Sequence, residues 1–199
     1  MSTVGLVLAA GAGRRMGRPK ALVRLTPGGP TLVETAVGRV RAAGCDRVVV
    51  VVGAEAGDAA DAVSGTGAEV VVATDWDEGM GASLRAGLAH LEAGAPTPSP
   101  VVAVVTLVDL PDVSAEVVAR VLAAAAPEGA AALVRAAYDG VPGHPVVLGR
   151  DHWAAVRATA RGDRGARDHL RATPHRLVEC GDLATGRDVD TEADLPERG

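Results

Sequence analysis

Only one of the twenty Lys and Arg residues in this chain is a lysine, and that residue is Lys20. Lysine offers a compact point charge on a flexible stem, whereas arginine offers a planar fork. Lys20 lies in a glycine-rich stretch, LVLAAGAGRRMGRPKALV over 6–23, which also holds Arg14, Arg15 and Arg18. Glycines let backbone N–H groups approach a phosphate closely, and a lysine there supplies a point charge to it. A second chemical group lies in VVTLVDLP, over 104–111, where an apolar run ends on Asp109. A carboxylate at such a position is a reasonable Mg²⁺ ligand. The tail GRDVDTEADL, over 186–195, adds Asp188 and Asp190. Two residues apart, they share one face of an extended segment, and one of them could complete a cation site with Asp109.

These residues need a scaffold. Short Val-rich runs at 4–10, 47–52, 69–73, 101–107, 131–134 and 144–148 are bounded by Gly, Asp or Pro. They are continuously apolar rather than alternating, which predicts strands covered on both faces, as in a parallel sheet. Helical spacing is expected over 31–43, ending at Gly44, and over 80–92 and 114–125, the last with Ser114 as N-cap. After His144 the alternation weakens. Helices are expected at 151–158 and 163–171, and a short strand at 175–179. The fold class is therefore α/β, a three-layer sandwich with a mostly parallel Rossmann-like sheet, in a single domain over 1–199. The segment GAPTPSP, over 94–100, reads as a loop rather than a linker, because strands and helices resume at once. Ligands in such sheets sit beyond the carboxyl ends of the strands, so the loops at 11–20, 74–79 and 109–111 should line one crevice.

Composition narrows the function. Aromatic residues make up 2% of the chain, with no Phe, so the core must be Val, Leu and Ala. The formal net charge of −5 argues against a nucleic-acid or membrane surface, and basic groups must act locally. Cys45 and Cys180 lack any metal-ligand spacing and read as ordinary thiols in a reducing cytoplasm. The first apolar run is too short to span a membrane and has no basic leader before it.

The loop also reads as GxGxxxG, which raises the alternative of an NAD(P)-dependent oxidoreductase. That fold needs an acidic residue (or a basic one, for NADP) after the second strand, where Glu55 is a weak candidate. It also needs a helix directly after the glycines, which Pro19 disfavours.

LAAGAGRRMGRPK resembles the signature LAAGxSxRMGxxK of the MobA-like nucleotidyltransferases, especially the molybdenum cofactor cytidylyltransferases. Gly13 stands where the family has serine. WDEGMGASL resembles WxxGMxxSL, VVTLVDLP resembles GDMPxV with Val108 for Gly and Leu110 for Met, and GVPGHPVV resembles GxRGHPV with Pro142 for Arg. GDRGARDHL and GRDVDTEADL resemble GDxGARxLL and DIDTPEDL. Together these motifs run from Leu6 to Leu195 in the family's order.

The resemblance implies transfer of CMP from CTP to the molybdopterin form of the molybdenum cofactor, with Mg²⁺ and release of pyrophosphate. It implies Lys20, Arg15 and Asp109 as catalytic residues, and Asp109 with Asp190 as metal ligands. Nucleotide contacts would come from Leu8, Ala9, Ala10, Gly11, Gly13, Lys20, Gly79, Met80 and Ser83. Acceptor contacts would come from Gly143, His144, Pro145 and Arg167. In relatives LAAG goes with cytidine and LAGG with guanine nucleotides, so Ala10 favours CTP. The implied partners are the nucleotide, a phosphorylated pterin acceptor, and a molybdoenzyme or its chaperone. Two further alternatives are the same chemistry on a sugar or polyol phosphate, and a cofactor carrier without catalysis.

Overall fold

The structure, a computed structural model, describes residues 2–94 and 101–194. Most of the expected loop at 94–100 lies outside the described residues. Among the described residues, seven strands form one sheet: β1 (Thr3–Ala9), β2 (Arg47–Val52), β3 (Glu69–Val72), β4 (Val102–Leu107), β5 (Leu133–Tyr138), β6 (Val141–Gly149) and β7 (Arg176–Glu179). Their order across the sheet is β3-β2-β1-β4-β6-β5-β7. Every neighbouring pair is parallel except those made by β6, which runs antiparallel to both β4 and β5. The α-helices among the described residues cover it: α1 (Leu32–Ala42), α2 (Ala56–Val63), α3 (Met80–Ala93), α4 (Ala115–Ala125), α5 (Arg150–Thr159) and α6 (Arg167–Ala172).

The continuous Val runs of β1, β2 and β4 are buried on both faces, because a hydrophobic layer lies on each side. One layer packs α1, α2 and α4 through Val33, Val37, Val63, Val117 and Val121. The other packs α3, α5 and α6 through Leu84, Leu88, Trp153 and Leu170. Close approach is built in at Gly87 of α3, where a Cβ would come within 2.7 Å of the Leu6 side chain.

The helix starts follow capping chemistry. Thr31 and Glu34 form a reciprocal capping box at α1, and Ser114 accepts from the Val117 N–H at α4. Gly44, at φ +97°, ends the turn after α1.

The structure departs from the sequence-based expectation in four places. β3 is an edge strand: Val72 is 54% exposed, so its apolar run is not covered on both faces. α2 is an additional helix, entered through Glu55 in the left-handed region at φ 49° without a side-chain cap. The expected strands at 131–134 and 144–148 are longer and shifted. They form a hairpin turning on Asp139 and Gly140, both at positive φ, as a two-residue hairpin turn requires. The expected helix at 163–171 is split by Gly165, at φ +51°, into a 3-10 turn over Gly162–Arg164 and the short α6.

Candidate active site

The chain leaves β1 towards β2 and β3 on one side and returns to β4 on the other. The carboxyl ends of β1 and β4 therefore frame the point where the strand order reverses, the place where ligands settle in open α/β sheets. A crevice of about 640 Å³ opens there. The loops after β1, β3 and β4 all contribute to its walls, together with the tail around Asp188 and Asp190.

Local sequence explains the loop after β1. Met16 is buried and anchors the loop in the core, and its N–H donates to the Gly13 carbonyl at 2.8 Å. Gly13 sits at φ +59°, and a Cβ there would lie 1.9 Å from the Arg18 carbonyl oxygen. Glycine in place of the family's serine is thus a conformational requirement of this loop. Gly11 has open space where its Cβ would be, and it lines the crevice. The chain then turns through Pro19 into a 3-10 turn at Lys20–Leu22, so no α-helix follows the glycines directly.

Lys20 reaches across to the end of β4 and to the tail. Its Nζ donates to Asp109 Oδ2 at 2.8 Å and to Asp190 Oδ1 at 2.6 Å. Arg15 Nη2 lies 2.8 Å from Asp190 Oδ2. Burial pulls the Lys20 ammonium towards neutrality, but the hydrogen bonds and charges of the two aspartates outweigh it and raise its pKa above the usual value. The hydrogen bond from Lys20 holds the Asp190 carboxyl below the ordinary carboxylate range, against its partial burial. Both groups are therefore charged at neutral pH.

Asp109, Asp188 and Asp190 each place a carboxylate oxygen within 4.8 Å of the others. Three hard oxygen donors suit Mg²⁺ or Mn²⁺. Asp109 Oδ1 is buried without a hydrogen-bond partner among the described residues, an orphan acceptor that a cation would satisfy. The residues present fit a divalent cation.

All but one of the expected nucleotide residues line the crevice: Leu8, Ala10, Gly11, Gly13, Lys20, Gly79, Met80 and Ser83. Ala9 is the exception, because strand alternation turns it into the opposite hydrophobic layer. Asp163 also reaches the crevice. A Cβ on Gly79 would lie 2.5 Å from Asp163 Oδ1, so only glycine allows this approach of the two loops.

Gly143, His144, Pro145 and Arg167 do not line the crevice among the described residues. β6 pairs with β4 through Val105 and Val146, so continuing that register sets His144 near Leu107, a crevice residue. The His144–Pro145 peptide is cis. Sequence reading missed Arg135, which pairs with Val146 across the hairpin. Arg135 Nε donates to the Gly143 carbonyl at 2.8 Å and Nη2 to the Pro142 carbonyl at 3.1 Å. Tyr138 Oη donates to the His144 carbonyl at 2.6 Å. Burial, then the charges of Arg135 and Arg167, push the His144 imidazole down to about 4, so it is neutral at pH 7. This cluster holds two guanidinium groups, and neither forms an ion pair with a carboxylate among the described residues.

Among the described residues no helix is long and apolar enough to cross a membrane.

Comparison with known proteins gives the family and the fold. The chain is 40% identical over 194 residues to nicotine blue oxidoreductase of Paenarthrobacter nicotinovorans, covering 94% of this chain and 91% of that one. A nucleotidyl transferase from Methanothermobacter thermautotrophicus has a similar structure, with TM-score 0.76 and 25% identity over 97% of this chain and 94% of its own. Rv0371c of Mycobacterium tuberculosis, solved as a manganese complex, gives TM-score 0.73 and 26% identity over 95% and 94% of the two chains. Residues 5–178, from the first strand to the last, match the MobA-like NTP transferase domain, and it is to this family of nucleotidyltransferase domains that the chain belongs.

Proposed function

We propose that the protein transfers CMP from CTP to the phosphate of molybdopterin, the organic part of the molybdenum cofactor, and releases pyrophosphate. What carries this reading is Lys20, a single point charge held between Asp109 and Asp190 at the point where the strand order reverses. In the reaction, an oxygen of the acceptor's phosphate monoester attacks the α-phosphorus of CTP. The bond from that phosphorus to the β-phosphate oxygen breaks, and pyrophosphate leaves with the electron pair. No covalent enzyme intermediate is needed, so the protein contributes position and charge.

The loop after β1 offers its open backbone at Gly11 to the triphosphate. Lys20 and Arg15 offset charge on the phosphates, and Ser83 offers a hydroxyl at the start of α3. A divalent cation, when bound by Asp109 and Asp190 with Asp188 beside them, would neutralise charge developing on the phosphate oxygens. The manganese complex of Rv0371c supports a divalent cation in this family. Ala10 in the LAAG motif supports cytidine over guanine nucleotides. Arg135 and Arg167, without carboxylate partners among the described residues, support an anionic acceptor beside His144. The protein partner would be a molybdoenzyme or its chaperone, and the reaction would take place in the cytoplasm.

A second reading is favoured by one observation, the 40% identity to a protein named as an oxidoreductase. Two features oppose dinucleotide binding here: no α-helix follows the glycines directly, and the crevice carries a lysine beside the clustered carboxylates of Asp109, Asp188 and Asp190.

The test is pyrophosphate release with Mg²⁺, molybdenum cofactor and either CTP or GTP, with parallel arms that contain sugar phosphates. Release with CTP and the cofactor alone establishes the reading. Release only with a sugar phosphate moves the acceptor. Oxidation of NADH or NADPH by nicotine blue, without pyrophosphate release, replaces the reading with the second one.

A further inference from the structure

Lys20 stands where a cation would have to bind. Its ammonium nitrogen is 2.8 Å from Asp109 Oδ2 and 2.6 Å from Asp190 Oδ1, and these carboxylates belong to the three-aspartate cluster. Mg²⁺ takes oxygen ligands at roughly 2.0–2.1 Å. An ammonium so close to both oxygens leaves no room for a metal ion between them, and its positive charge repels one. The second oxygen of Asp190 is taken by Arg15, so this carboxylate has both oxygens engaged. Asp109 keeps one oxygen buried and unpartnered. The lysine side chain is only 15% exposed, so solvent does little to weaken the contact.

We propose that Lys20 is the internal counter-ion of Asp109 and Asp190, that it competes with the divalent cation for them, and that the triphosphate draws it away. The phosphates of a nucleotide in the crevice offer the ammonium a stronger anionic partner, which frees both carboxylates. The flexible four-carbon stem of lysine allows the change of partner without moving the backbone, whereas a rigid guanidinium fork allows it poorly. The cation then binds well only together with the nucleotide. The nucleotide-free protein keeps Asp109 and Asp190 paired with Lys20 and takes up little free metal. This inference rests on the reading that a nucleoside triphosphate binds in the crevice, and it gives a physical reason for the single lysine of the chain.

The experiment measures Mn²⁺ binding to the nucleotide-free protein by electron paramagnetic resonance of the unbound ion. Lys20→Met keeps an unbranched stem of nearly the same length and removes the charge. The expected result is roughly tenfold or more tighter Mn²⁺ binding in Lys20→Met than in wild type, since one competing charge in contact with the ligands is gone. Asp109→Asn serves as the control and is expected to lose Mn²⁺ binding. A non-hydrolysable CTP analogue is expected to tighten Mn²⁺ binding in wild type more than in Lys20→Met, because only wild type has a lysine to displace. Equal or weaker Mn²⁺ binding in Lys20→Met, with an unchanged melting temperature, overturns the competition. Tighter Mn²⁺ binding in the variant, together with no effect of the CTP analogue on either protein, supports the competition and overturns the displacement by nucleotide. Turnover is not the readout, so failure of the inference is distinct from failure of the proposed reaction.

Discussion

The Val189 N–H donates to the Asp109 carbonyl at 2.8 Å, which ties the tail of the chain to the end of β4. The Val189 side chain is 3% exposed and packs in the hydrophobic layer with Val108 and Leu110. Burying this one valine turns its two neighbours, Asp188 and Asp190, towards the carboxylate of Asp109. The acidic cluster is thus a product of hydrophobic burial at Val189, with the backbone hydrogen bond setting the register. Asp194 then closes the segment by accepting from the Asp190 and Thr191 N–H groups.

The three carboxylates are not equivalent, and substitution should separate them. Asp190 accepts from Lys20 and is ion-paired with Arg15, Asp109 accepts from Lys20, and Asp188 is exposed without a bond to the lysine. Asp109→Asn and Asp190→Asn are expected to lower kcat by roughly 10²–10³-fold or more, with melting temperatures near wild type. Asp188→Asn is expected to cost on the order of tenfold. Steady-state pyrophosphate release with CTP checks this. A larger loss at Asp188 than at Asp190 would show that the wrong aspartate has been taken as the second ligand.

Gly13 gives a test in which the family's own residue should do harm. Serine at 13 would be held at φ +59°, at a cost of roughly 1–2 kcal/mol, and its Cβ would collide with the Arg18 carbonyl 1.9 Å away. The loop must move, and with it the hydrogen bond from the Met16 N–H. Gly13→Ser is expected to raise the KM for CTP by about tenfold or more, since 1.4 kcal/mol is a factor of ten. An unchanged KM would mean that the loop adapts to serine freely and that the glycine is incidental.

The sequence made the crevice legible because its parts are local. Continuous Val runs mark β1 and β4, and the glycines and Lys20 follow β1 directly, so the site falls where those strands end. What stayed hidden depends on pairing or on small residues. α2 is built from alanines and buries only Ala59 and Val63, without a capping side chain, so neither its periodicity nor its start stands out. The Asp139–Gly140 pair is a strong hairpin signal, and it marks the turn between β5 and β6. Arg135 enters the His144 cluster only through its partner Val146 on the antiparallel β6, a register that a single sequence does not reveal. Asp163 comes to the crevice because Gly79, far away in the chain, allows its approach.

Arg135 should separate acceptor from nucleotide. It lies on β5 beside His144, away from the crevice lining, and spends its hydrogen bonds on two backbone carbonyls. Arg135→Met is expected to raise the KM for the acceptor by about tenfold while the KM for CTP stays within about twofold, because a bond to a charged group contributes roughly 1.5–3 kcal/mol. Arg135→Lys is expected to recover part of the loss, through its charge but not its fork. Initial-rate kinetics with each substrate varied in turn provide the check. Equal changes in both KM values would make Arg135 a support of the hairpin and nothing more.

His144 should leave a mark on stability against pH. In the unfolded chain its imidazole takes up a proton near 6.5, whereas in the folded protein burial and the nearby Arg135 and Arg167 hold it neutral down to about 4. Between these values the unfolded state binds the extra proton, so stability falls as pH falls from 6.5 towards 4. The slope from this one group approaches about 1.4 kcal/mol per pH unit and ends near pH 4, below which both states are protonated. His144→Gln removes the titrating group while keeping polar atoms at the start of β6. Urea midpoints measured from pH 7 down to pH 4 should fall less steeply for His144→Gln than for wild type, by up to the slope of one proton. Parallel curves for the two proteins would show that His144 titrates in the folded state as it does in the unfolded chain. The two guanidiniums would then lie too far from the ring to act on it, and the charge assigned to the acceptor site would lose its support.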